Sequence, residues 1–177
     1  MTLAFDWLAK RAALTPDRTA LVDAATGREY TYREFDDRAG RLARFWREEW
    51  SLAPGDRVAI LGQNSSEYFE ALFAAAKAEV VLVPLNWRLA VPELEGIVAD
   101  GEPGGIVYDG EFADEAATLV PGGPSLGIGQ DYEAALASSG PMTMPARPDD
   151  DTWYFLYTAG TTGRPKGVIQ TFAMALY

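Results

Sequence analysis

Residues 57–83 read Arg57-Val58-Ala59-Ile60-Leu61-Gly62-Gln63-Asn64-Ser65-Ser66-Glu67-Tyr68-Phe69-Glu70-Ala71-Leu72-Phe73-Ala74-Ala75-Ala76-Lys77-Ala78-Glu79-Val80-Val81-Leu82-Val83, and the fold turns on this stretch. Arg57 to Leu61 is an apolar run of strand length. Asn64-Ser65-Ser66-Glu67 then reads as a capping box, a polar cap followed three residues on by a carboxylate. Tyr68, Phe69, Leu72, Phe73 and Ala76 give the helix it opens a broad apolar face. Val80 to Val83 is unbroken apolar sequence, as expected of a strand covered on both faces. Strand, helix and strand in this order predict a right-handed βαβ unit in a parallel sheet. Lys77, alone on the apolar helix, reads as a solvated or snorkelling side chain.

The same rhythm continues outward. Downstream, Pro92 to Ala99 is helical, Gly105 to Tyr108 extended, Glu111 to Leu119 helical and Leu126 to Ile128 extended. Upstream, Thr2 to Ala13 has helical spacing, with Thr15-Pro16-Asp17 as its stop. Thr19 to Asp23 and Arg28 to Tyr32 form two short strands about Ala25-Thr26-Gly27. Thr31-Tyr32-Arg33-Glu34 is another capping box, and its helix buries Phe35, Ala39, Leu42, Phe45 and Trp46 before Pro54-Gly55. Pro121 to Pro124 and Ser138 to Pro148 read as linkers too short to separate domains. The predicted class is α/β, an open and mostly parallel sheet with flanking helices. Residues 1–50 form a helix-and-strand lead-in, and 51–177 the βαβ region.

Composition narrows the chemistry. The chain has 177 residues, 48% of them hydrophobic, enough for one core. It contains neither Cys nor His, which removes disulfides, thiolate nucleophiles, Cys/His zinc sites and imidazole bases. Its net charge is −11, all of it contributed by residues 51–177, which hold six cations against seventeen carboxylates. Only Arg38, Arg41, Arg44 and Arg47 form a basic series, and beside Asp36, Asp37, Glu48 and Glu49 they read as a solvated helix face. No nucleic-acid surface is expected. No run approaches the length of a membrane span, and Met1 to Leu14 carries Asp6, Lys10 and Arg11 against a signal-peptide reading. A cytoplasmic protein is the expectation.

The chemistry concentrates in Asp151-Thr152-Trp153-Tyr154-Phe155-Leu156-Tyr157-Thr158-Ala159-Gly160-Thr161-Thr162-Gly163-Arg164-Pro165-Lys166-Gly167-Val168. An apolar strand runs into a loop of glycines, threonines and two cations. Glycines allow close approach of backbone N–H groups to phosphate oxygens. Hydroxyls add donors and metal ligands, and Arg164 and Lys166 add charge. A P-loop is excluded, because the fifth residue after Gly160 is Pro165 and no hydroxyl follows Lys166. A dinucleotide fingerprint fails at Tyr132, after Gly127-Ile128-Gly129. Read from residue types alone, the loop is either an anion cradle or a plain flexible loop. Trp87 reads as packing, and Asp149-Asp150-Asp151 as a solvated turn, since three adjacent carboxylates cannot all face one ion.

Tyr157 to Val168 resembles the signature loop of the adenylate-forming enzymes: acyl- and aryl-CoA synthetases, luciferases and peptide-synthetase adenylation domains. Thr31 to Phe35, Gly55 to Ile60, Asn64-Ser65, Phe73 to Ala78 and Val83 to Leu89 also resemble the CoA-ligase branch in order and spacing. The resemblance implies that a carboxylate attacks the α-phosphate of ATP, giving an acyl-adenylate and pyrophosphate, and that a thiol, usually of coenzyme A, displaces AMP. It further implies that Thr158, Ala159, Gly160, Thr161, Thr162, Gly163, Arg164, Pro165 and Lys166 grip the β- and γ-phosphates, with Thr158 near magnesium. Five positions depart from the pattern. Ala159 replaces a frequent Ser and Phe172 a frequent His; Glu79-Val80 replaces Gly-Ala, and Ala90 lacks the Thr cap, worth ~1 kcal/mol.

Members of that family run to about three times this length. The resemblance therefore implies an incomplete N-terminal portion, 1–177, of the large AMP-binding domain, with the family's catalytic Lys and Glu beyond it and little activity alone. Exposed apolar surface left by missing partners implies a homodimer. Asn86-Trp87-Arg88 leans towards fatty or aryl acids rather than amino acids. The alternative is a stand-alone, non-catalytic α/β module that binds a nucleotide or a partner.

Overall fold

The computed structural model describes residues 2–24, 26–158 and 165–176. Strand β1 (Leu3–Ala4) pairs antiparallel with residues 147–148. Helix α1 (Trp7–Leu14) follows, capped by Asp6, whose carboxylate accepts from the Ala9 N–H at 3.0 Å. The helix expected from Thr2 therefore begins only at Trp7, because the Asp6 cap sets its start and Leu3 is drawn into a strand. Strands β2 (Thr19–Val22) and β3 (Glu29–Thr31) form the expected hairpin. Helix α2 (Tyr32–Glu48) opens on the full capping box: the Glu34 N–H donates to the Thr31 hydroxyl at 3.2 Å, and the Thr31 N–H to the Glu34 carboxylate at 2.8 Å.

The βαβ series then runs β4 (Arg57–Leu61), α3 (Ser66–Ala78), β5 (Val81–Leu85), α4 (Val91–Gly101), β6 (Gly105–Tyr108), α5 (Ala113–Leu119), β7 (Ser125–Gly127) and α6 (Gln130–Ser138). Strands β8 (Arg147–Pro148), β9 (Thr152–Thr158) and β10 (Lys166–Thr171) complete it, followed by a 3₁₀ turn at Ala173–Leu176. Ser65, not Asn64, caps α3, its hydroxyl accepting from the Tyr68 N–H at 3.3 Å. Glu79 ends α3 at φ 58°, a left-handed conformation that glycine adopts without strain. The Ala90 cap of α4 has no side-chain acceptor; only the Glu93 carboxylate folds back to the Ala90 N–H, at 3.0 Å. The first turn of the Glu111–Leu119 segment is 3₁₀, at Gly110–Phe112.

The main sheet has the order β10-β9-β5-β4-β6-β7, with five parallel strands and β10 antiparallel at one edge. Alternation along β4 explains its unbroken apolar sequence. Val58 and Ile60 join Leu42, Trp46, Leu82 and Tyr132 on one face, while Ala59 and Leu61 join Val83, Ile97 and Leu119 on the other. A third cluster stacks Phe172 on Trp153 at 5.1 Å, so the aromatic ring at position 172 is core.

Four expectations about charge and linkers need correction. Lys77 is buried, not solvated, and bridges Asp6 at 2.5 Å and Asp36 at 2.7 Å. The arginine series of α2 is a clamp. Arg38 holds the fully buried Glu70 at 2.5 Å and Glu133 at 2.7 Å, and Tyr132 donates to Glu70 at 2.8 Å. Burial pushes the Glu70 carboxyl up, with Arg38 and Tyr132 pulling it back. Arg41 donates to the Ser139 carbonyl at 2.7 Å and Arg44 to that of Gly140 at 3.0 Å, so the segment read as a linker is strapped to α2. Of the acidic triplet, Asp150 is exposed but Asp151 pairs with Arg147 at 2.9 Å. Among the described residues, no group of three acidic side chains is placed to hold a metal ion.

Candidate functional site

Parallel strands put their carboxyl ends on one edge of the sheet, where open α/β sheets form their ligand crevice. Here β4 leaves that edge through Gly62 to Ser65, β5 through Asn86 to Leu89, and β9 through Thr158. Between these exits lies a cavity of about 500 Å³, walled by Gly62, Asn64, Tyr68, Trp87, Tyr157 and Thr158, with Pro165 at its rim. Helices α3 and α4 begin at the same edge, and the partial positive charge of helix N-termini favours an anion there.

The cross-strand register of β9 and β10 sets Lys166 directly opposite Thr158, at the base of the loop between the strands. Both residues are exposed. A hydroxyl that lines the crevice and an ammonium on the next strand thus sit at paired positions of the ladder. Of the nine loop residues singled out by the sequence, Thr158, Pro165 and Lys166 are brought together in this way. Ala159, Gly160, Thr161, Thr162, Gly163 and Arg164 lie outside the described residues.

The crevice adds Tyr68, which the sequence marked only as part of the apolar face of its helix. Burial pushes the Tyr68 phenol up to about 12, so it keeps its proton at neutral pH, and the residue lines the crevice. Trp87 packs as expected, 6.3 Å from the Phe112 ring, with the Arg88 guanidinium 4.1 Å over its own ring. It is also part of the wall. Asn64 and Asn86 supply amides to the same space. Their common feature is a position just beyond the carboxyl end of a strand, a signal that becomes usable only once the strand order is known. The arrangement offers donors and positive charge at one lip and an apolar floor behind, suited to a ligand with an anionic head.

Residues 8–177 match the family model described as AMP-binding enzyme. The feruloyl-CoA synthase of an Amycolatopsis species is 39% identical over 165 residues, covering 93% of this chain and 32% of that protein. The inhibitor-bound N-terminal domain of FACL13 from Mycobacterium tuberculosis superimposes with a TM-score of 0.84 at 32% identity, covering 97% of this chain and 45% of that one. O-succinylbenzoate coenzyme A synthetase from Bacillus subtilis, in complex with ATP and magnesium ion, gives 0.81 at 29% identity, over 97% and 44%. The chain spans about a third of the length of the curated relatives it matches.

Proposed function

Since this chain belongs to the AMP-binding enzyme family, and its matched relatives include acyl- and aryl-CoA ligases, we propose that its protein is a carboxylic acid–CoA ligase. The carboxylate oxygen attacks the α-phosphorus of ATP and pyrophosphate leaves, giving an acyl-adenylate. The sulfur of coenzyme A then attacks the acyl carbon, AMP leaves, and the thiol proton passes to solvent. The observation that carries this reading is the pairing of Thr158 with Lys166 at the base of the loop, beside the crevice at the carboxyl ends of β4, β5 and β9.

Within that reading, Lys166, Arg164 and the hydroxyls of Thr158, Thr161 and Thr162 hold the β- and γ-phosphates. Gly160 and Gly163 let the backbone approach, and Ala159 and Pro165 complete the loop. The contribution is electrostatic, stabilising charge that grows on departing pyrophosphate. Magnesium, when bound, neutralises phosphate charge. The one described hydroxyl at the loop, Thr158, would supply one oxygen ligand to it. The acid is a fatty or aryl acid, with the crevice behind Trp87 as apolar surface near the reacting end.

Residues 1–177 are, on this proposal, an incomplete part of the AMP-binding domain, and the protein works in the cytoplasm. Among the described residues, no helix is long and apolar enough to cross a membrane. The apolar edge around β10 makes the isolated chain a homodimer. We expect the protein at its natural length to convert ATP, coenzyme A and a fatty or aryl acid into AMP, pyrophosphate and a thioester. Release of ADP, or AMP formation independent of the acid, would overturn this. The 177-residue chain alone is expected to give no acid-dependent ATP–pyrophosphate exchange above background.

A further inference from the structure

We infer that Tyr157 and Asp100 form a positioning pair that fixes where the loop leaves β9, a role that rests on the phosphate grip proposed for that loop. Tyr157 immediately precedes Thr158, and its hydroxyl donates to the Asp100 carboxylate at 2.7 Å. Asp100 lies in the last turn of α4, a helix seated on the sheet through the buried Leu94 and Ile97. That end of α4 is itself tied to β4, because the Arg57 Nε–H donates to the Gly101 carbonyl at 2.9 Å. A rigid line thus runs from β4 through the end of α4 to the residue before the loop.

Two glycines make room for the tyrosine ring. A Cβ on Gly167, the cross-strand partner of Tyr157, would come within 3.1 Å of the ring. A Cβ on Gly101 would lie 3.3 Å from the phenol oxygen and 3.3 Å from Val83. Glycine in a helix or a strand weakens the element, by up to about 1 kcal/mol in a helix. Its presence at both positions has a packing reason in this ring. Burial and the Asp100 bond both push the Tyr157 phenol up, so the donor keeps its proton throughout the neutral range. Tyr157 also walls the crevice. Holding its ring therefore holds Thr158 next to it and Lys166 opposite Thr158.

The test uses the protein at its natural length, with Tyr157→Phe, Asp100→Ala, Asp100→Asn and the Tyr157→Phe/Asp100→Ala double variant. Loss of a hydrogen bond to a carboxylate is expected to raise KM for ATP about ten-fold in Tyr157→Phe and Asp100→Ala, with KM for the acid unchanged. The double variant should be no worse than either single one. Asp100→Asn should stay near wild type, because its amide oxygen accepts the same bond. Without nucleotide, amide exchange at residues 156–158 and 166–168 should quicken in Tyr157→Phe while the rest of the sheet stays protected. This readout, on an isosteric variant, carries the test if Asp100→Ala does not fold. Unchanged ATP KM and exchange in Tyr157→Phe, or damage in Asp100→Asn equal to that in Asp100→Ala, would overturn the pair alone. A wild type with no saturable use of ATP would overturn the phosphate reading and the pair's role with it.

Discussion

Lys77 keeps only 1% of its side chain exposed, yet it stands on an alanine-rich helix with no acidic neighbour in the adjacent turns facing it. Its two partners come from other elements: Asp6 from the cap of α1 and Asp36 from α2. Removing one member of such a buried group leaves the others desolvated and unpaired, which costs more than the group contributes when whole. Lys77→Met should therefore lower stability by about 3 kcal/mol in urea unfolding, although methionine suits the apolar surroundings. A loss below about 1 kcal/mol would mean that water already reaches the aspartates. Phe172 makes a parallel point. Where the family often has histidine, this chain places a ring stacked on Trp153 and facing the Arg147 guanidinium at 5.0 Å, so the position serves packing.

Helix α2 shows how much one element depends on its cap and on its distant partners. Hydrogen bonds from Thr31 hold the Glu34 carboxyl below its ordinary value of 4.5. A lowered folded value means the contribution is present above pH 4.5 and is lost as pH falls through the lower folded value. Because Glu34 is exposed, we expect a difference between wild type and Glu34→Gln of about 0.5 kcal/mol or less at pH 7, shrinking as pH falls below 4.5 in thermal melts. A difference that does not shrink as pH falls below 4.5 would sink this origin. The cap was legible because its signal spans four residues, and β4, α3 and β5 were legible because period and composition are local. Helix α6 was not, since Gly129 caps it without a side-chain bond. The Arg38 clamp was illegible for a different reason: Glu70 and Glu133 lie 32 and 95 residues away. Ion pairs at that separation exist only once the elements have packed. The site divides the same way. Thr158 and Lys166 stand out in sequence by residue type, whereas Tyr68, Asn86 and Trp87 become one wall only through the strand order.

Across the whole molecule, covered faces and one bare edge determine behaviour. Helices α2, α3 and α6 close one face of the sheet and α4 and α5 the other, but β10 has no outer neighbour among the described strands. Leu156 and its cross-strand partner Val168 are 48% and 41% exposed, and Ile169 is 53% exposed. An apolar edge strand of this kind templates pairing. The isolated chain should accordingly sediment as a concentration-dependent dimer, and Val168→Lys with Ile169→Lys should return it to a monomer. A monomer at every concentration would rule that out. On the proposed reading the same hairpin also holds the phosphates, since its inner end joins Thr158 to Lys166 beside the crevice. The most direct measurement is acid-dependent ATP–pyrophosphate exchange by the protein at its natural length, wild type against Lys166→Met. We expect exchange in the wild type and a drop of roughly 100-fold in the variant at an unchanged melting temperature; equal exchange in both would contradict a phosphate grip by this loop.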